Sequence, residues 1–496
     1  MIEAILNIAS KIDQVLWGPW TMIFLTFVSV YLTTRSGFFQ FRKFRFIVKN
    51  TFGRIFDNVG SEKFEGMTPF QATSTALAST VGMGNIAGVA TALSVGGPGA
   101  IFWMWLLACF GMMTKMAEIS LAVHYRERDE HRRVQGGPMY YITKGLGWKT
   151  LARIFSLGIV INSLIAAALL QPHTVGRAFL SSYNFNPYLI TGAMSIIAAF
   201  VVIGGIKRIG QVCEKLVPFM SIIYILGGII IFLVNYAKIP EVFGMIFKYA
   251  LAPIPAVGGF AGATIAAAIK NGMARGMLSN EAGNGTAPMV HATANTKHPV
   301  QQGLWGAFEV FIDTIVICTI TAFVILSTGV LSNGQSGIEL VLSAFSTIFP
   351  MSLSNFLISF SILTFCLTTQ IGFFIYYETA ITHAFGKKVF KYLKWIYFIP
   401  GIMFAGVANV DKLWIFANIA VGVCALPNLV AVLALSGAFF KLMRDFLDGK
   451  NLFATEKIDM TKAYVVSRLL NPISNLKYNS KIIYRLNIRN IWRKYR

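Results

Sequence analysis

The sequence predicts an all-α polytopic membrane protein with about eleven transmembrane helices. Of its 496 residues, 55% are hydrophobic and only 13% are charged, and the mean hydropathy is +0.62. A soluble protein has about 25% charged residues. The apolar runs follow one another with short connections, so we expect one transmembrane unit and not several globular domains.

Basic residues collect in the connections between the apolar runs and give the chain a net charge of +22. In membrane proteins Lys and Arg are enriched in cytoplasmic loops, so this charge does not indicate a nucleic-acid partner. We expect a multi-pass protein of the cell membrane with its N-terminus outside and its C-terminus in the cytoplasm. The loop after the first span contains Arg35, Arg42, Lys43, Arg45, Lys49, Arg54 and Lys63.

The predicted spans are separated by short loops, except for an amphipathic segment at 236–257 between the sixth and the seventh. The spans lie near 14–34, 69–95, 98–125, 150–180, 187–205, 212–235, 258–283, 300–331, 352–383, 392–407 and 413–443. With eleven spans, the basic loops fall on the cytoplasmic side throughout.

The second span contains the sequence Thr80-Val81-Gly82-Met83-Gly84-Asn85-Ile86-Ala87-Gly88 near its middle. Gly costs about 1 kcal/mol relative to Ala at a helical position, and Asn85 places a polar amide deep in the membrane. Unwound backbone is tolerated there only inside the protein or beside a wet cavity. We therefore predict a broken helix. The alternative is a continuous helix whose glycines allow close packing against a neighbour.

A second glycine-rich run starts near Gly258 and ends at Ser279-Asn280-Glu281-Ala282-Gly283. If the first span is peripheral, ten spans remain, and the two interrupted spans are the first of each set of five. This pattern indicates an inverted repeat with its binding site at the midplane. Half-helix N-termini attract an anionic group such as an amino-acid carboxylate, and freed carbonyls suit a cation. The sequence therefore predicts a transporter.

This organisation divides the chain into four parts. The peripheral N-terminal helix and its basic loop cover 1–67, the first five-helix repeat covers 68–235, the second covers 236–445, and a basic cytoplasmic tail covers 446–496. A channel would not need paired broken helices. A membrane enzyme would need a nucleophile or a metal cluster, and the cysteines and histidines show no ligand spacing.

Several motifs together resemble the alanine or glycine:cation symporters, also called sodium:alanine symporters. The resemblance rests on the run from Thr80 to Ala90, on Gly96-Gly97-Pro98-Gly99 and the residues up to Trp105, and on Arg275-Gly276-Met277-Leu278-Ser279-Asn280-Glu281-Ala282-Gly283. It implies a leucine-transporter-like inverted-repeat fold and sodium-coupled import of alanine, glycine or another small neutral amino acid. It implies Na⁺ as the coupling ion and no other cofactor.

The resemblance also implies a sodium site between the first broken helix and the ninth span. Its ligands would be the carbonyls of Ala78, Val81 and Phe365 and the hydroxyls of Thr368 and Thr369. Neutral hard oxygens of this kind suit Na⁺. The alternative for the two threonines is hydrogen bonding of each hydroxyl to the preceding helical turn.

For the substrate, we expect backbone N–H groups of the broken helix to bind the carboxylate. Gln171 lies in an otherwise apolar span and either contacts the substrate or forms an interhelical hydrogen bond. The full candidate set is Gln71, Thr75, Thr80, Gly82, Met83, Gly84, Asn85 and Gln171, with Phe260 and Phe373 as walls. Phe373 replaces the usual family tryptophan and Asn418 an aspartate, so the sequence leaves the preferred amino acid open.

Charged residues within the spans are costly and are functional by default. Arg275 and Glu281 could close an inner gate or form a fixed structural tie. Lys115 and Glu118 are spaced as a possible structural pair. Glu281 or Asp313 could also titrate, which leaves proton coupling as the alternative to sodium coupling.

The tail from Thr461 to Arg496 contains many basic residues and no acidic one. Arg485, Arg489 and Arg493 recur every four residues, so the segment could lie as an amphipathic helix on anionic lipids of the inner leaflet. The alternative is a disordered basic tail.

Overall fold

A computed structural model describes residues 2–55, 66–128, 133–254, 262–407 and 410–453. The regular secondary structure of these ranges is helical apart from one short hairpin, in which β1 (Glu127–Arg128) pairs with β2 (Val134–Gln135), and two isolated β-bridges. The basic tail from Thr461 lies outside the described residues, and so does Phe260.

Twenty-three α-helices are described, and short 3₁₀ and π segments join several of them. In the first half they are α1 (Ile2–Leu16), α2 (Pro19–Arg35), α3 (Phe39–Arg42), α4 (Phe44–Asn50), α5 (Pro69–Thr80), α6 (Val89–Gly96), α7 (Gly99–His124), α8 (Pro138–Tyr141), α9 (Lys149–Asn162), α10 (Leu170–Tyr183), α11 (Pro187–Ile203) and α12 (Gly205–Val234). In the second half they are α13 (Ile239–Leu251), α14 (Ile265–Asn280), α15 (Ala287–His291), α16 (Pro299–Val310), α17 (Thr319–Thr328), α18 (Gly337–Ser346), α19 (Met351–Phe385), α20 (Lys387–Leu393), α21 (Ile399–Met403), α22 (Val410–Ala434) and α23 (Ser436–Leu447).

The membrane character of the chain is confirmed by the length and composition of these helices. Within the described ranges, seven continuous helical stretches are long and apolar enough to cross a bilayer, and an eighth is a bent pair. Pro187–Ile203 and Gly337–Ser346 are shorter apolar helices. The count of eleven spans stays a prediction.

The predicted break in the second span is confirmed. α5 begins with a capping box in which Thr68 and Gln71 each accept a hydrogen bond from the other's backbone N–H, and it ends at Thr80. Val81 is extended, with φ −76° and ψ 95°. The helix resumes at Gly84 as a π segment, and the two halves are bent by 49°.

The second glycine-rich run is also interrupted, although its helix begins later than predicted. α14 starts after the N-cap Thr264 and ends at Asn280. The following Glu281 and Gly283 have positive φ values of 55° and 94°, so the chain leaves the helix before α15. The side chain of Asn280 accepts a hydrogen bond from the N–H of Ala282 at 2.9 Å, which caps the buried turn that follows the helix.

The two interruptions face each other at van der Waals distance. A Cβ atom added to Gly84 would lie 3.2 Å from the Cα of Ser279. Only glycine permits this approach of the two backbones without displacing one of them. The residue that precedes α5 is also joined to the loop after α15, because Met67 N–H donates to Thr293 O at 3.1 Å and Asn295 N–H donates to Met67 O at 2.8 Å.

The first predicted span lies within the apolar stretch Leu6–Arg35, in which α1 and α2 meet at Gly18 and Pro19. Two other predicted spans differ from the structure. The predicted tenth span at 392–407 is not one continuous helix but the short pieces α20 and α21, and Pro400 lies in the first turn of α21. The eleventh ends at Ala434, and α23 follows it.

Lys115 and Glu118 do not form the pair that their spacing allows. Lys115 donates to Asn280 O at 2.8 Å and lies 3.3 Å from Glu309. Glu118 accepts a hydrogen bond from Asn428. Their partners come from distant segments, so helical spacing could not reveal them.

We expect Lys115→Met to lower the unfolding temperature of the purified protein strongly. Lys115 and Glu309 are both fully buried, and removing one partner of a buried ion pair costs about 3–5 kcal/mol because the other charge stays buried. Thermal unfolding in detergent measures the effect, and Lys115→Met/Glu309→Gln should recover part of the loss.

Lys270→Met is the matched control, because Lys270 pairs with Asp13 at 3.6 Å while its side chain is 40% exposed. Exposed pairs contribute about 0–1 kcal/mol. Equal losses in the two lysine variants would contradict a buried structural ion pair.

Candidate functional site

The predicted sodium ligands lie together where α5 ends against α19. Thr369 Oγ1 lies 3.0 Å from Ala78 O, 3.4 Å from Val81 O and 2.9 Å from Phe365 O. The α5 carbonyls are available because the last carbonyls of a helix have no intrahelical donor. All of these residues are buried. Their oxygens therefore form a compact, neutral cluster.

The two threonines differ in how they take part. Thr368 Oγ1 contacts Phe365 O at 2.9 Å and Thr364 O at 3.0 Å, both on its own helix. Thr369 also bonds its own helix at Phe365, but it reaches across to α5. Hydrogen bonding to the preceding turn thus describes Thr368 in this conformation and accounts for only part of the contacts of Thr369.

A narrow cavity lies beside this cluster, with a volume of about 10 Å³ open to water. That is room for roughly one water molecule, so an amino acid could enter only after the walls move apart. Of the predicted substrate residues, five line it. The lining consists of Ser79, Thr80, Met83, Gly84, Asn162, Ala166, Gln171, Leu278, Glu281, Phe373 and Val421.

The Gln171 side chain binds the backbone N–H group of Met83, one of the groups that the sequence predicts to bind a substrate carboxylate. Its Oε1 accepts a hydrogen bond from Met83 N–H at 3.2 Å. The N–H of Gly82 donates instead to Asn85 Oδ1 at 3.0 Å. Two N–H groups released by the helix break are therefore satisfied by side-chain oxygens, and one of these oxygens lies on a residue that lines the cavity.

Asn162 also lines the cavity, and its side chain forms no hydrogen bond within the described part of the chain. Both polar atoms of its side chain are buried, and neither has a partner among the described residues. A buried polar group without a partner costs about 1–3 kcal/mol. An unpaired amide at a cavity wall is therefore a candidate ligand-binding group. Sequence reasoning missed it, although it is a polar residue in an apolar span, as Gln171 is.

Asn85 is not among the cavity-lining residues, and it forms hydrogen bonds next to them. Its Nδ2 donates to Asp313 Oδ1 at 2.7 Å, and Thr321 donates to its backbone oxygen at 2.8 Å. Asp313 Oδ2 also accepts from Ser279 at 2.8 Å and from Thr314 at 2.9 Å. This carboxylate therefore connects the first broken helix, the second and the π segment at 311–318.

Gln71 and Thr75 are not among the residues that line the cavity, and their assignment as substrate contacts stays a prediction. Gln71 completes the capping box of α5, and Thr75 donates to Gln71 O at 2.7 Å. The Gln71 amide and the Thr75 hydroxyl therefore form hydrogen bonds within the first turns of α5, well before the helix breaks.

Arg275 and Glu281 have different partners in this conformation. The guanidinium of Arg275 lies 4.1 Å from the centre of the Trp414 ring and 3.3 Å from Asn418 Oδ1. Glu281 accepts a hydrogen bond from Thr286 at 2.6 Å and lines the cavity. No ion pair between these two described residues is present, so their role as a gate stays a prediction.

Comparison with known proteins places this arrangement in a family. The sequence model of the sodium:alanine symporter family matches residues 2–460. The sodium/alanine symporter AgcS of Methanococcus maripaludis is 37% identical over 441 residues, which are 87% of this chain and 95% of that protein. The probable sodium/glutamine symporter GlnT of Bacillus subtilis is 35% identical over 90% of this chain and 91% of that protein.

The fold is similar to that of a solved transporter. A crystal structure of MhsT in complex with L-phenylalanine superposes with a TM-score of 0.58 at 14% identity, covering 83% of this chain and 100% of that chain. At this identity the similarity concerns the fold alone.

We expect Gly82→Ala to destabilise the protein. The added methyl group would lie 2.5 Å from Thr369 Oγ1 and 3.1 Å from Gln171 Oε1, and overpacking of this kind costs about 1–3 kcal/mol. Thermal unfolding of Gly82→Ala, Thr369→Ala and the double variant measures the effect, and the double variant should lose less than the sum.

Gly88→Ala is the control within the same interrupted span. Its methyl group would meet Met83 O at 3.7 Å, an ordinary contact. A loss in Gly88→Ala as large as that in Gly82→Ala would show that the region rejects any side chain, whatever its neighbours.

Proposed function

The chain belongs to the sodium:alanine symporter family, and from this premise we propose that it imports a small neutral amino acid together with Na⁺ by alternating access. Its relatives are transporters and not enzymes. The observation that carries the proposal is the contact of Thr369 Oγ1 with carbonyls of both α5 and α19 at the break in the second span.

We propose that Na⁺ binds among the carbonyls of Ala78, Val81 and Phe365 and the hydroxyls of Thr368 and Thr369. Na⁺ prefers hard oxygen ligands, and this cluster supplies neutral ones from two helices. When the ion binds, the hydroxyl protons turn away from the carbonyls that they now face. The ion then joins α19 to the end of α5 through several ligands.

We propose that the substrate carboxylate takes the place of Gln171 Oε1 at Met83 N–H. The Gln171 side chain then turns its amide N–H₂ toward the carboxylate, and Asn162 supplies a further donor from the same wall. Glu281 is the acidic side chain of the cavity, and it balances the ammonium group. Together these groups select a zwitterion and leave the small side chain to Phe373 and Ala166.

The proposed substrate is alanine or glycine, with serine or a slightly larger neutral amino acid also accepted. The relatives include a sodium/alanine symporter and a probable sodium/glutamine symporter, so the family accommodates side chains of different size. One methylene in an apolar pocket discriminates by only about 1–3 kcal/mol. Charged and aromatic substrates are therefore not expected.

The proposed architecture is eleven spans, with the two broken spans opening two five-helix repeats at 68–235 and 236–445. The segment 1–67 is peripheral and 446–496 is a tail. The N-terminus lies outside and the C-terminus in the cytoplasm, because the basic loops then face the inside.

Uptake of labelled alanine into proteoliposomes tests the function. An inward sodium gradient should drive accumulation, and a proton gradient alone should not. Accumulation with protons alone would replace sodium coupling by proton coupling. Failure of alanine, glycine and serine to compete for uptake would reject the substrate class.

We expect Thr368→Ala/Thr369→Ala to abolish sodium activation of uptake while the protein stays folded. Each hydroxyl removed from a cation costs about 1.5–3 kcal/mol, so the single Thr369→Ala should weaken the apparent sodium affinity by about tenfold or more. Uptake against sodium concentration measures the effect. Thr364→Ala is the control, since within the described residues its hydroxyl bonds only to Phe360 and Ser361 of the same helix. Unchanged sodium activation in the double variant would refute the site.

We expect Asn162→Leu to raise the KM for alanine by about tenfold or more, because a hydrogen bond to a charged group is lost. The unfolding temperature of the empty protein should stay the same or rise, because the unpaired amide is removed. Uptake kinetics and thermal unfolding measure the two effects. Asn355→Leu is the control, since Asn355 donates to Ser182 O at 3.2 Å: it should lose stability and keep its KM. The same pattern in Asn162→Leu would make Asn162 structural.

A further inference from the structure

We propose that Glu118 is a proton-binding site, in which the protonated carboxyl group forms a hydrogen bond to the side chain of Asn284. Glu118 lies on α7, and Asn284 lies in the loop after the break that ends α14. Asn428 of α22 joins these two segments, because its Nδ2 donates to Glu118 Oε1 and, at 2.8 Å, to Gly283 O. Glu118, Asn284 and Asn428 are all buried. The site therefore lies beside the second broken helix.

Glu118 forms no ion pair with any residue that the structure describes. Lys115, one helical turn earlier on α7, donates to Asn280 O and pairs with Glu309 instead. Burying an ionised carboxylate without a paired charge is so costly that the group takes up a proton instead. The position of Glu118, fully buried and without a cation, therefore favours the neutral acid.

Two other buried carboxylates near the breaks are compensated in ways that Glu118 is not. Glu309 lies 3.3 Å from Lys115 and 2.6 Å from His291. Asp313 accepts hydrogen bonds on both oxygens, three in total. Glu118 accepts its one side-chain hydrogen bond on Oε1, and its Oε2 has no partner in the described part of the chain. Among these three acids, Glu118 is the one whose charge the surroundings support least.

Asn284 provides an independent indication of a proton. Its Oδ1 is buried and, like Glu118 Oε2, has no hydrogen-bond partner among the described residues. Both atoms are acceptors while the acid is ionised, so neither can bond the other. Protonation turns one carboxyl oxygen into a donor. A single proton on Glu118 then supplies both atoms with a partner, whereas leaving both unpaired inside the protein is costly.

The packing around Asn428 favours a proton over a metal cation. A methyl group added to Gly285 would lie 2.9 Å from Asn428 Cγ, so the surrounding space is tightly filled. Two oxygens of the network already have donors, since Gly283 O accepts from Asn428 and Asn428 Oδ1 accepts from Tyr141. A metal cation needs several oxygen ligands at once, whereas a proton needs one donor position and one acceptor.

Titratable side chains on the elements that pack around α7 have other partners. They are Tyr141 on α8, Glu281 in the loop after α14, His291 on α15, Glu309 on α16 and Asp445 on α23, which bond to Asn428, Thr286, Glu309, His291 and His298 respectively. None of these five supplies a cation to Glu118 in the described ranges. The inference concerns the state of this acid and does not depend on the proposed substrate or coupling ion.

Infrared spectroscopy of the full chain at neutral pH tests the site, because a protonated carboxyl group has its own C=O stretching band. Glu118→Gln should remove intensity from this band. Asn284→Ala should keep the intensity and move the band to higher frequency, because the acid loses its acceptor, and this variant assigns the band even if Glu118→Gln folds poorly. Glu309→Gln is the control, since Glu309 is paired with Lys115 and should not contribute. A band that neither Glu118→Gln nor Asn284→Ala alters would overturn the proposal.

Thermal unfolding in detergent at different pH values gives a second test. A glutamate of the unfolded chain ionises above about pH 4, so the folded wild type holds one proton more and loses stability as the pH rises. Gln has the shape of the neutral acid and does not titrate. The unfolding temperature of Glu118→Gln should therefore exceed that of the wild type by a margin that grows from about pH 5 to about pH 7. A less stable Glu118→Gln at neutral pH would show a charged carboxylate and overturn the proposal.

Sodium decides between a proton and a metal cation at this site. Replacing potassium chloride by sodium chloride should change the unfolding temperatures of the wild type and of Glu118→Gln equally. A stabilisation by sodium that Glu118→Gln abolishes would overturn the proton assignment in favour of a cation.

Discussion

The structure depends on one constraint: backbone that leaves the helix inside the membrane must find hydrogen-bond partners within the protein. At the first break the Asn85 side chain supplies such a partner, and one carboxylate connects Asn85 to the second break. Asp313 accepts hydrogen bonds from Asn85 on the first segment and from Ser279 on the second, while Asn85 in turn accepts from Gly82 N–H. The two breaks are therefore stabilised as a unit, and neither could straighten without leaving buried polar groups unpaired.

A chain of buried charges supports the same region from the other side. Lys115 bonds to Asn280 O at the end of α14 and pairs with Glu309, which contacts His291 on α15 at 2.6 Å. His291 Nδ1 lies 2.8 Å from Gln302 Nε2. These contacts span the gap between α14 and α15. A cation at the C-terminal end of a helix is electrostatically favourable, so Lys115 stabilises the end of α14 that the break exposes.

The sequence predicted features that local chemistry determines. Glycines and Asn85 inside an apolar run predicted the first break, and the resemblance placed Thr369 opposite Ala78. Features that depend on distant partners could not be predicted: Lys115 pairs with Glu309 and not with its helical neighbour Glu118. Asn162 was missed because a single polar residue in a span gives no sign of whether it has a partner. The prediction of the tenth span as one helix was wrong, because it relied on the apolar character of the segment and gave too little weight to Pro400.

The position of Gly82 links the cation cluster to the cavity. A methyl group there would contact Thr369 on one side and Gln171 on the other, so the backbone between Val81 and Met83 is the thin wall that separates the two sites. Val81 presents its carbonyl to the cluster, and Met83 presents its N–H to the cavity. An ion bound in the cluster attracts the Val81 carbonyl and holds the adjoining peptide planes in place. The direction of the Met83 N–H is then fixed as well. Under the proposed function, Na⁺ and the substrate carboxylate then stabilise the same backbone conformation, so that each binds more tightly when the other is present. This coupling needs no contact between ion and substrate, because the consecutive residues from Val81 to Met83 transmit it.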